Sequence, residues 1–149
     1  MSIRTARLED ATDIATLLLA TRKACMPYAP LAHSDQDVRQ WVRDVLLPSG
    51  GVNVLRDGDH VLGFVATRSQ PGEAWIDQLY VHAGQLRRGV GSRLLLHVLA
   101  HLPGPICLYC FQANRGARAF YERHGFEAVA FSDGSTNEER CPDVLYVLP

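Results

Sequence analysis

Residues 73–110 change twice between strand and helix patterning, and this change constrains the fold more than any other part of the sequence. A β-rich segment at 73–82 is followed by a helical pattern of apolar residues over 89–102 and by a short apolar strand at 106–110. A strand, a helix and a second strand in this order predict a parallel, right-handed βαβ unit. The chain therefore needs a sheet against which at least one helix packs.

The rest of the chain predicts one strand, two helices and a hairpin before this unit, and a helix and two strands after it. The predicted segments are a strand at 2–6, a helix from about 9 to 24, a loop at 25–33, a helix following Ser34, strands at 52–56 and 60–68, a helix at 114–124 and strands at 126–131 and 143–148. We expect the second helix to bury a face consisting of Val38, Trp41, Val42, Val45 and Leu46. The order predicts an α/β fold (an α+β mixed sheet), with an N-terminal antiparallel meander, a C-terminal βαβ unit and helices on both faces.

Length and charge limit the function classes. At 149 residues the chain is expected to form a single domain over 1–149. Its 15 Lys+Arg against 16 Asp+Glu argue against a nucleic-acid or membrane-surface partner. No apolar run reaches the ~18 residues of a membrane span, and the first ten residues contain no apolar signal core, so we expect a cytoplasmic protein.

The four cysteines and the histidines predict no metal site. Cys107 and Cys110 form a C-x-x-C pair, but within a predicted strand they point to opposite faces. No second such pair or histidine cluster completes a zinc site. We therefore expect free thiols and no bound metal.

A glycine-rich segment, Gln85–Ser92, lies between the predicted strand and the start of the following helix. Gly89 and Gly91 allow a ligand to approach the backbone closely, and the N–H groups of the first helical turn form an anion site. Arg87 and Arg88 add positive charge beside it. The segment lacks the Lys of a phosphate-loop ATPase and the third Gly of a dinucleotide fold. A glycine-rich helix start without a ligand is the alternative.

A second group of residues lies on the helix at 114–124. Asn114 is suited to cap the start of this helix, and Gly125 is suited to end it. Tyr121 lies about two turns after Asn114, on the inward face, where a buried phenol can donate a proton. A core tyrosine with a satisfied hydroxyl is the alternative.

Together these two segments resemble the GNAT-type N-acetyltransferase superfamily, which uses acetyl-CoA. The similarity in the order of elements covers nearly the whole chain, and the motifs match best from Trp75 to Phe126. The resemblance implies a GNAT-like fold and acetyl transfer to a primary amine of a small molecule, or alternatively of a protein. A non-catalytic acyl-CoA sensor is the second hypothesis, and a homodimer is compatible with the sequence.

The resemblance also implies roles for individual residues. The family's loop pattern, Gln/Arg-x-x-Gly-x-Gly/Ala, falls on Leu86–Gly91, with Leu86 at a position where Gln or Arg is usual. Tyr121 matches the tyrosine that protonates the departing CoA thiolate. The residues implied in cofactor binding are Leu79, Tyr80, Val81, Arg87, Arg88, Gly89, Val90, Gly91, Ser92 and Asn114.

The general base is less defined by the sequence. Some relatives place a Glu on the strand at 73–82, at the position of Trp75. Glu73 and Asp77 share the face of Trp75 if the strand is regular, and a bulge would change that. The candidates are therefore Asp77, Glu73 or an ordered water relay.

Two loops are candidates for the acceptor site. In the superfamily, the loop between the first two helices borders this site, which implicates Tyr28 and His33. The loop at 132–142 contains Glu138 and Glu139, and its acidity would suit a cationic amine. A packed proline-rich loop and a solvated acidic turn are the respective alternatives.

Overall fold

The computed structural model describes residues 1–86 and 88–149, and its elements follow the predicted order. The strands are β1 (Ser2–Thr5), β2 (Val52–Asp57), β3 (His60–Gln70), β4 (Glu73–Val81), β5 (Ile106–Phe111), β6 (Glu127–Ser132) and β7 (Asp143–Leu148). The helices are α1 (Ala11–Cys25), α2 (Asp35–Trp41), α3 (Val90–Leu99) and α4 (Arg115–Arg123). Over the described residues, no helix has the length and apolar character needed to cross a membrane.

The strands form one seven-stranded sheet with the order β1-β2-β3-β4-β5-β7-β6. β4 and β5 pair in parallel, and the remaining neighbours pair antiparallel. This topology confirms the predicted fold class, including the meander and the βαβ unit formed by β4, α3 and β5. β7 lies between β5 and β6. The last two strands therefore form a hairpin in which β6 is the edge strand of the sheet.

Each face of the sheet carries its own core. On one face, α3 and α4 cover an apolar cluster that includes Leu94, Tyr121 and Tyr146. On the other face, α1 and α2 cover a cluster that includes Ile14 and Phe64. Gly63 on β3 allows α3 to approach closely, because a Cβ there would lie 2.9 Å from both Leu94 Cδ1 and the Tyr80 carbonyl oxygen.

The second helix differs from the prediction at its C-terminal end. A π-helical turn, Val42–Leu46, follows α2, and the N–H of Leu47 donates to the Val42 carbonyl oxygen. The buried row has a spacing of four residues: Val38, Val42 and Leu46. Trp41 and Val45 were predicted to point inward and are instead 37% and 54% exposed. Val45 lies within the wide turn, which changes the direction in which successive side chains point. Trp41 precedes the turn and, three positions after Val38, lies at the edge of the buried row.

Candidate functional site

The parallel strands β4 and β5 separate soon after they begin to pair. Their register joins Ala74 to Ile106 and Trp75 to Cys107. On the other side of β4, Gln78 pairs with Ala66 and Ile76 pairs with Thr67, which leaves Asp77 as the extra residue of a β-bulge. A bulge bends its strand and increases the local twist. β4 therefore diverges from β5 at the point where a site can open between them.

A cleft of about 610 Å³ occupies this opening. Its walls come from both strands and from α1, α4 and the segment between β6 and β7. The lining residues include Arg22, Met26, Asp77, Gln78, Leu79, Tyr80, Tyr109, Phe111, Asn114, Ala117, Tyr121, Asn137, Glu139 and Asp143. Where β4 has left β5, the backbone on that edge is free to pair with an extended, amide-containing ligand.

The start of α3 lies beside the end of β4. Gly89 precedes the helix at φ +81°, a conformation that favours glycine. The N–H of Arg93 makes the first intrahelical bond, to Gly89, so among the described residues the N–H groups of Val90, Gly91 and Ser92 have no carbonyl partner and can face an anion. A Cβ on Gly91 would lie 3.4 Å from the Phe120 ring and 3.5 Å from Val81, which shows how closely this turn approaches β4.

The described side chains just before Gly89 contribute less to this anion site than the backbone N–H groups do. Arg88 is exposed, and Leu86 is 51% exposed. Arg87, which was predicted to bind the cofactor, lies outside the described residues. The described part of the loop therefore offers an anion mainly backbone N–H groups and the positive end of a helix.

Asn114 caps α4 as predicted. Its Oδ1 accepts a hydrogen bond from the N–H of Ala117 at 3.1 Å. Because the cap uses the oxygen, the side-chain NH₂ group remains available as a donor, and Asn114 lines the cleft. Gly125, at φ +92°, ends α4, and the N–H of Phe126 donates to the Tyr121 carbonyl oxygen in a Schellman arrangement.

Tyr121 projects from α4 into the inner wall of the cleft. The residue is 8% exposed, and its ring contacts those of Phe120, Phe126 and Tyr146. Burial raises the pKa of the Tyr121 phenol, because the phenolate would lose its solvation. The phenol therefore stays protonated at neutral pH and is able to donate a proton.

The two candidate bases on β4 have different positions. Asp77 lines the cleft and accepts hydrogen bonds from Arg68 Nε at 2.9 and 3.1 Å. Glu73 is at the other end of the strand and accepts a hydrogen bond from Trp75 Nε1 at 3.0 Å. Hydrogen bonds from Trp75 and Gln70 lower the pKa of Glu73, which makes its carboxylate a weaker base. Of the two, only Asp77 is among the lining residues of the cleft described above.

The segment between β6 and β7 is held in place by hydrogen bonds. Asn137 Nδ2 donates to the Cys141 carbonyl oxygen at 2.6 Å, and Asn137 Oδ1 accepts from the Cys141 N–H at 3.1 Å. Ser132 Oγ donates to Asp143 Oδ1 at 2.6 Å. Gly134, at φ +82°, has no room for a side chain, since a Cβ would lie 2.4 Å from the Cys141 carbonyl carbon. This ordered loop forms one wall of the cleft.

Glu139 on this loop meets Arg22 on α1. The Arg22 Nη2 and Glu139 Oε1 atoms are 3.5 Å apart, and their side chains are 8% and 18% exposed. Arg22 was not predicted as a site residue. A signal was present, because Arg22 continues the spacing of four from Ile14 and Leu18 and thus places a charge on the buried face of α1.

The other acceptor candidates lie around the same loops. His33 contacts Glu138, and both side chains are more than half exposed. The Tyr28 ring meets Phe111 edge-on, with centroids 6.2 Å apart, and burial raises the pKa of Tyr28 to about 12. Glu139 and Phe111 line the cleft, whereas Tyr28, His33 and Glu138 lie outside the set of described residues that line it.

The cysteines are free thiols, and Cys107, Cys110 and Cys141 are buried. Burial raises the pKa of Cys110 to about 12, so this thiol is a poor nucleophile. Over residues 1–86 and 88–149, the structure contains no cluster of three or more His, Cys, Asp or Glu side chains suited to hold a metal ion.

The sequence matches a known family over most of its length. The family model described as the acetyltransferase (GNAT) family matches residues 17–126. A curated relative, the probable N-acetyltransferase Rv2775 of Mycobacterium tuberculosis, is 39% identical over 59 residues, which are 39% of this chain. The matching region spans about a third of that relative, 34% of its length.

Solved structures share the whole architecture. Apo YjaB from Escherichia coli superimposes with a TM-score of 0.76 at 22% identity, covering 99% of this chain and 96% of that one. The PaiA N-acetyltransferase from Thermoplasma acidophilum, solved in complex with coenzyme A, gives a TM-score of 0.72 at 17% identity, covering 99% and 98%. At these identities the similarity concerns the fold.

Proposed function

This chain belongs to the acetyltransferase (GNAT) family, and we propose that it transfers an acetyl group from acetyl-CoA to a primary amine. The acceptor is a small molecule in this proposal, and residues 1–149 act as one catalytic unit. The free thiols fit a reducing compartment such as the cytoplasm.

One observation carries the proposal: a buried phenol and a capping amide line the same cleft, and β4, which forms one side of that cleft, ends beside the first turn of α3. Tyr121 and Asn114 line the cleft, and Val81, at the end of β4, meets the first turn of α3. The backbone N–H groups of Val90, Gly91 and Ser92 would hold the pyrophosphate, with Arg88 as a nearby cation. The open edge of β4 at Leu79, Tyr80 and Val81, together with the Asn114 amide, would hold the pantetheine arm.

The residues of the cleft have separate parts in the transfer. Acetyl-CoA, when bound, supplies the thioester carbonyl that the amine attacks. A backbone N–H near Val81 polarises that carbonyl oxygen, and the narrow cleft holds the two reactants together. Tyr121 donates its proton to the departing thiolate. No covalent intermediate on the protein is needed, which agrees with the raised pKa of the Cys110 thiol.

The amine must lose a proton before it attacks. Asp77 lines the cleft and can receive this proton directly or through a water molecule. Arg68 Nε is shared between the two Asp77 oxygens, which each keep a lone pair to which a water molecule can deliver the proton. Glu73 is the first residue of β4, four positions or ~13 Å before Asp77, and is not among the described residues that line the cleft.

Thiol release from acetyl-CoA in the presence of primary amines tests the proposal. We expect amine-dependent release that saturates with both substrates, together with an acetylated product of the expected mass. Binding of acetyl-CoA without amine-dependent release would instead support the alternative of an acyl-CoA sensor. Failure to bind acetyl-CoA at all would contradict both.

A further inference from the structure

Arg22 is buried in the wall of the cleft with incomplete hydrogen bonding. The residue is 7% exposed. Its Nη2 donates to the Ala29 carbonyl oxygen at 2.7 Å, and its Nη1 lies 3.4 Å from the Tyr80 hydroxyl. Its Nε has no hydrogen-bond partner among the described residues. An unsatisfied donor on a buried charge is costly. The Nε atom is itself buried, so a ligand in the cleft would meet the two Nη groups, whose remaining N–H donors suit an anion with two oxygens.

Glu139 is the nearest opposite charge, and it leaves this requirement unmet. Its Oε1 lies 3.5 Å from Arg22 Nη2, well beyond the ~2.8 Å of a short charge-assisted hydrogen bond. The carboxylate therefore keeps acceptor capacity for another donor. A guanidinium and a carboxylate that lie side by side on one wall are complementary to a ligand that has both an anionic and a cationic group.

The surroundings favour a compact ligand of this kind. The Arg22 guanidinium carbon lies 5.4 Å from the centroid of the Phe111 ring, and Met26 adds a second apolar group to the wall. Burial raises the pKa of the Tyr80 phenol, so its hydroxyl beside Arg22 stays neutral and does not compete as an anion.

We propose that the acceptor is an amine that carries a carboxylate close to it, as in a free amino acid, with Arg22 binding the carboxylate and Glu139 facing the ammonium group. This inference rests on the proposed function and names its substrate class. In the transfer, an amide C–N bond forms and the thioester C–S bond breaks. The ammonium nitrogen loses two protons: one leaves through Asp77 to solvent, and the other balances the proton that Tyr121 gives to the sulfur.

Matched pairs of acceptors test the role of the carboxylate. Each pair consists of an amino acid and the amine that lacks its carboxylate: lysine and cadaverine, histidine and histamine, and phenylalanine and phenethylamine. The corresponding amino-acid amides keep the size of the carboxylate but carry no negative charge. At saturating acetyl-CoA we expect at least one amino acid to exceed its decarboxylated and amide partners about tenfold or more in kcat/KM. Equal or faster acetylation of the partners would overturn the inference and leave the proposed function standing.

Variants of Arg22 locate the effect. Arg22→Lys keeps the buried charge but loses the two-pronged donor, and we expect it to raise KM for the amino acid about 10-fold to 100-fold while kcat changes less than about threefold. The kcat/KM of the decarboxylated amine should stay within about threefold. Arg39→Gln removes an exposed arginine of α2 as the matched control. An equal loss for both acceptors in Arg22→Lys would show a structural role and contradict the inference.

The failure of the proposed function has a different signature. If acetyl-CoA does not bind the wild-type chain, the proposed function is wrong, and the inference fails with it. If acetyl-CoA binds and no amino acid is acetylated while other amines are, the inference alone is wrong. Acetyl-CoA affinity measured on Arg22→Lys confirms that the variant is folded.

Discussion

The two walls of the cleft present different kinds of chemical group to a ligand. The wall formed by β4 and α4, together with the start of α3 beside it, offers backbone N–H groups, an amide and a neutral phenol, all supplied by residues 79–121. The opposite wall offers ionised side chains from distant parts of the chain, such as Arg22 and Glu139, which are brought within 3.5 Å of each other.

This difference separates the two tasks of the proposed enzyme. Backbone groups cannot change by substitution, so the first wall suits a constant ligand such as acetyl-CoA. Side-chain charges change with single substitutions, so the second wall suits the acceptor, whose identity can vary. Variants of the first wall should therefore affect cofactor binding or the chemical step, whereas variants of the second should affect the KM of the amine.

The largest effect is expected at Tyr121. In Tyr121→Phe the thiolate loses its proton donor, so kcat should fall about 100-fold or more. The affinity for acetyl-CoA should stay within about twofold, because the ring is kept. Steady-state thiol release and calorimetry measure the two quantities.

A neighbouring tyrosine supplies the matched control for this change. Tyr146 donates to Glu122 Oε2 at 2.6 Å and accepts from Arg118 Nε at 3.0 Å, so its hydroxyl serves the fold. Tyr146→Phe should lower the free energy of unfolding by about 1 to 3 kcal/mol and leave kcat of the folded protein nearly unchanged. Equal losses of kcat in both variants would contradict the role given to Tyr121.

The next largest effect is expected in the loop of the second wall. In Gly134→Ala the new Cβ would lie 2.4 Å from the Cys141 carbonyl carbon, so the loop that carries Glu139 must shift. We expect KM for the amine to rise about 10-fold to 50-fold while acetyl-CoA affinity is unchanged. Gly58→Ala has a similar positive φ with no atom within 4 Å, so it controls for backbone strain alone. A loss of acetyl-CoA affinity in Gly134→Ala would show that the walls are not separate.

A smaller effect is expected at the start of α3, and there the affinity for acetyl-CoA should change while the KM of the amine does not. Gly89 has φ +81°, and no atom of the described residues lies within 4 Å of its Cβ position, so Gly89→Ala adds strain without a clash with them. We expect the Kd for acetyl-CoA to rise about fivefold to tenfold and the KM for the amine to stay constant. An unchanged Kd would mean that the anion does not bind at this turn.

The smallest effect is expected from pH. Because burial raises the pKa of Tyr121 above that of an ordinary phenol, its proton should remain in place as the pH rises. We expect kcat at saturating substrates to fall by less than about twofold between roughly pH 8 and pH 10, and the upper limit of this range is near the ordinary pKa of a phenol. A falling limb in this range that is absent in Tyr121→Phe would show that the phenol ionises early.

The first wall was largely predictable from sequence because its signals are local. The Asn114 cap, the Gly125 helix end and the glycine-rich turn before α3 each depend on a few neighbouring residues, and the structure has the cap, the helix end and the turn where they were predicted. The bulge at Asp77 was not predictable, since it depends on the register with β3.

The second wall was only partly predictable because its contacts join distant residues. Glu139 was predicted from the acidity of its loop, whereas Arg22 is more than a hundred positions away and was not identified. The outward direction of Val45 was also not predicted, since nothing in the local sequence pattern indicated a π turn after α2.

Calorimetric titration with acetyl-CoA, with free CoA as the comparison, tests the central claim most directly. The account predicts saturable binding with about one site per chain, and a lower affinity in Gly89→Ala but not in Gly134→Ala. No detectable binding at millimolar acetyl-CoA would contradict it.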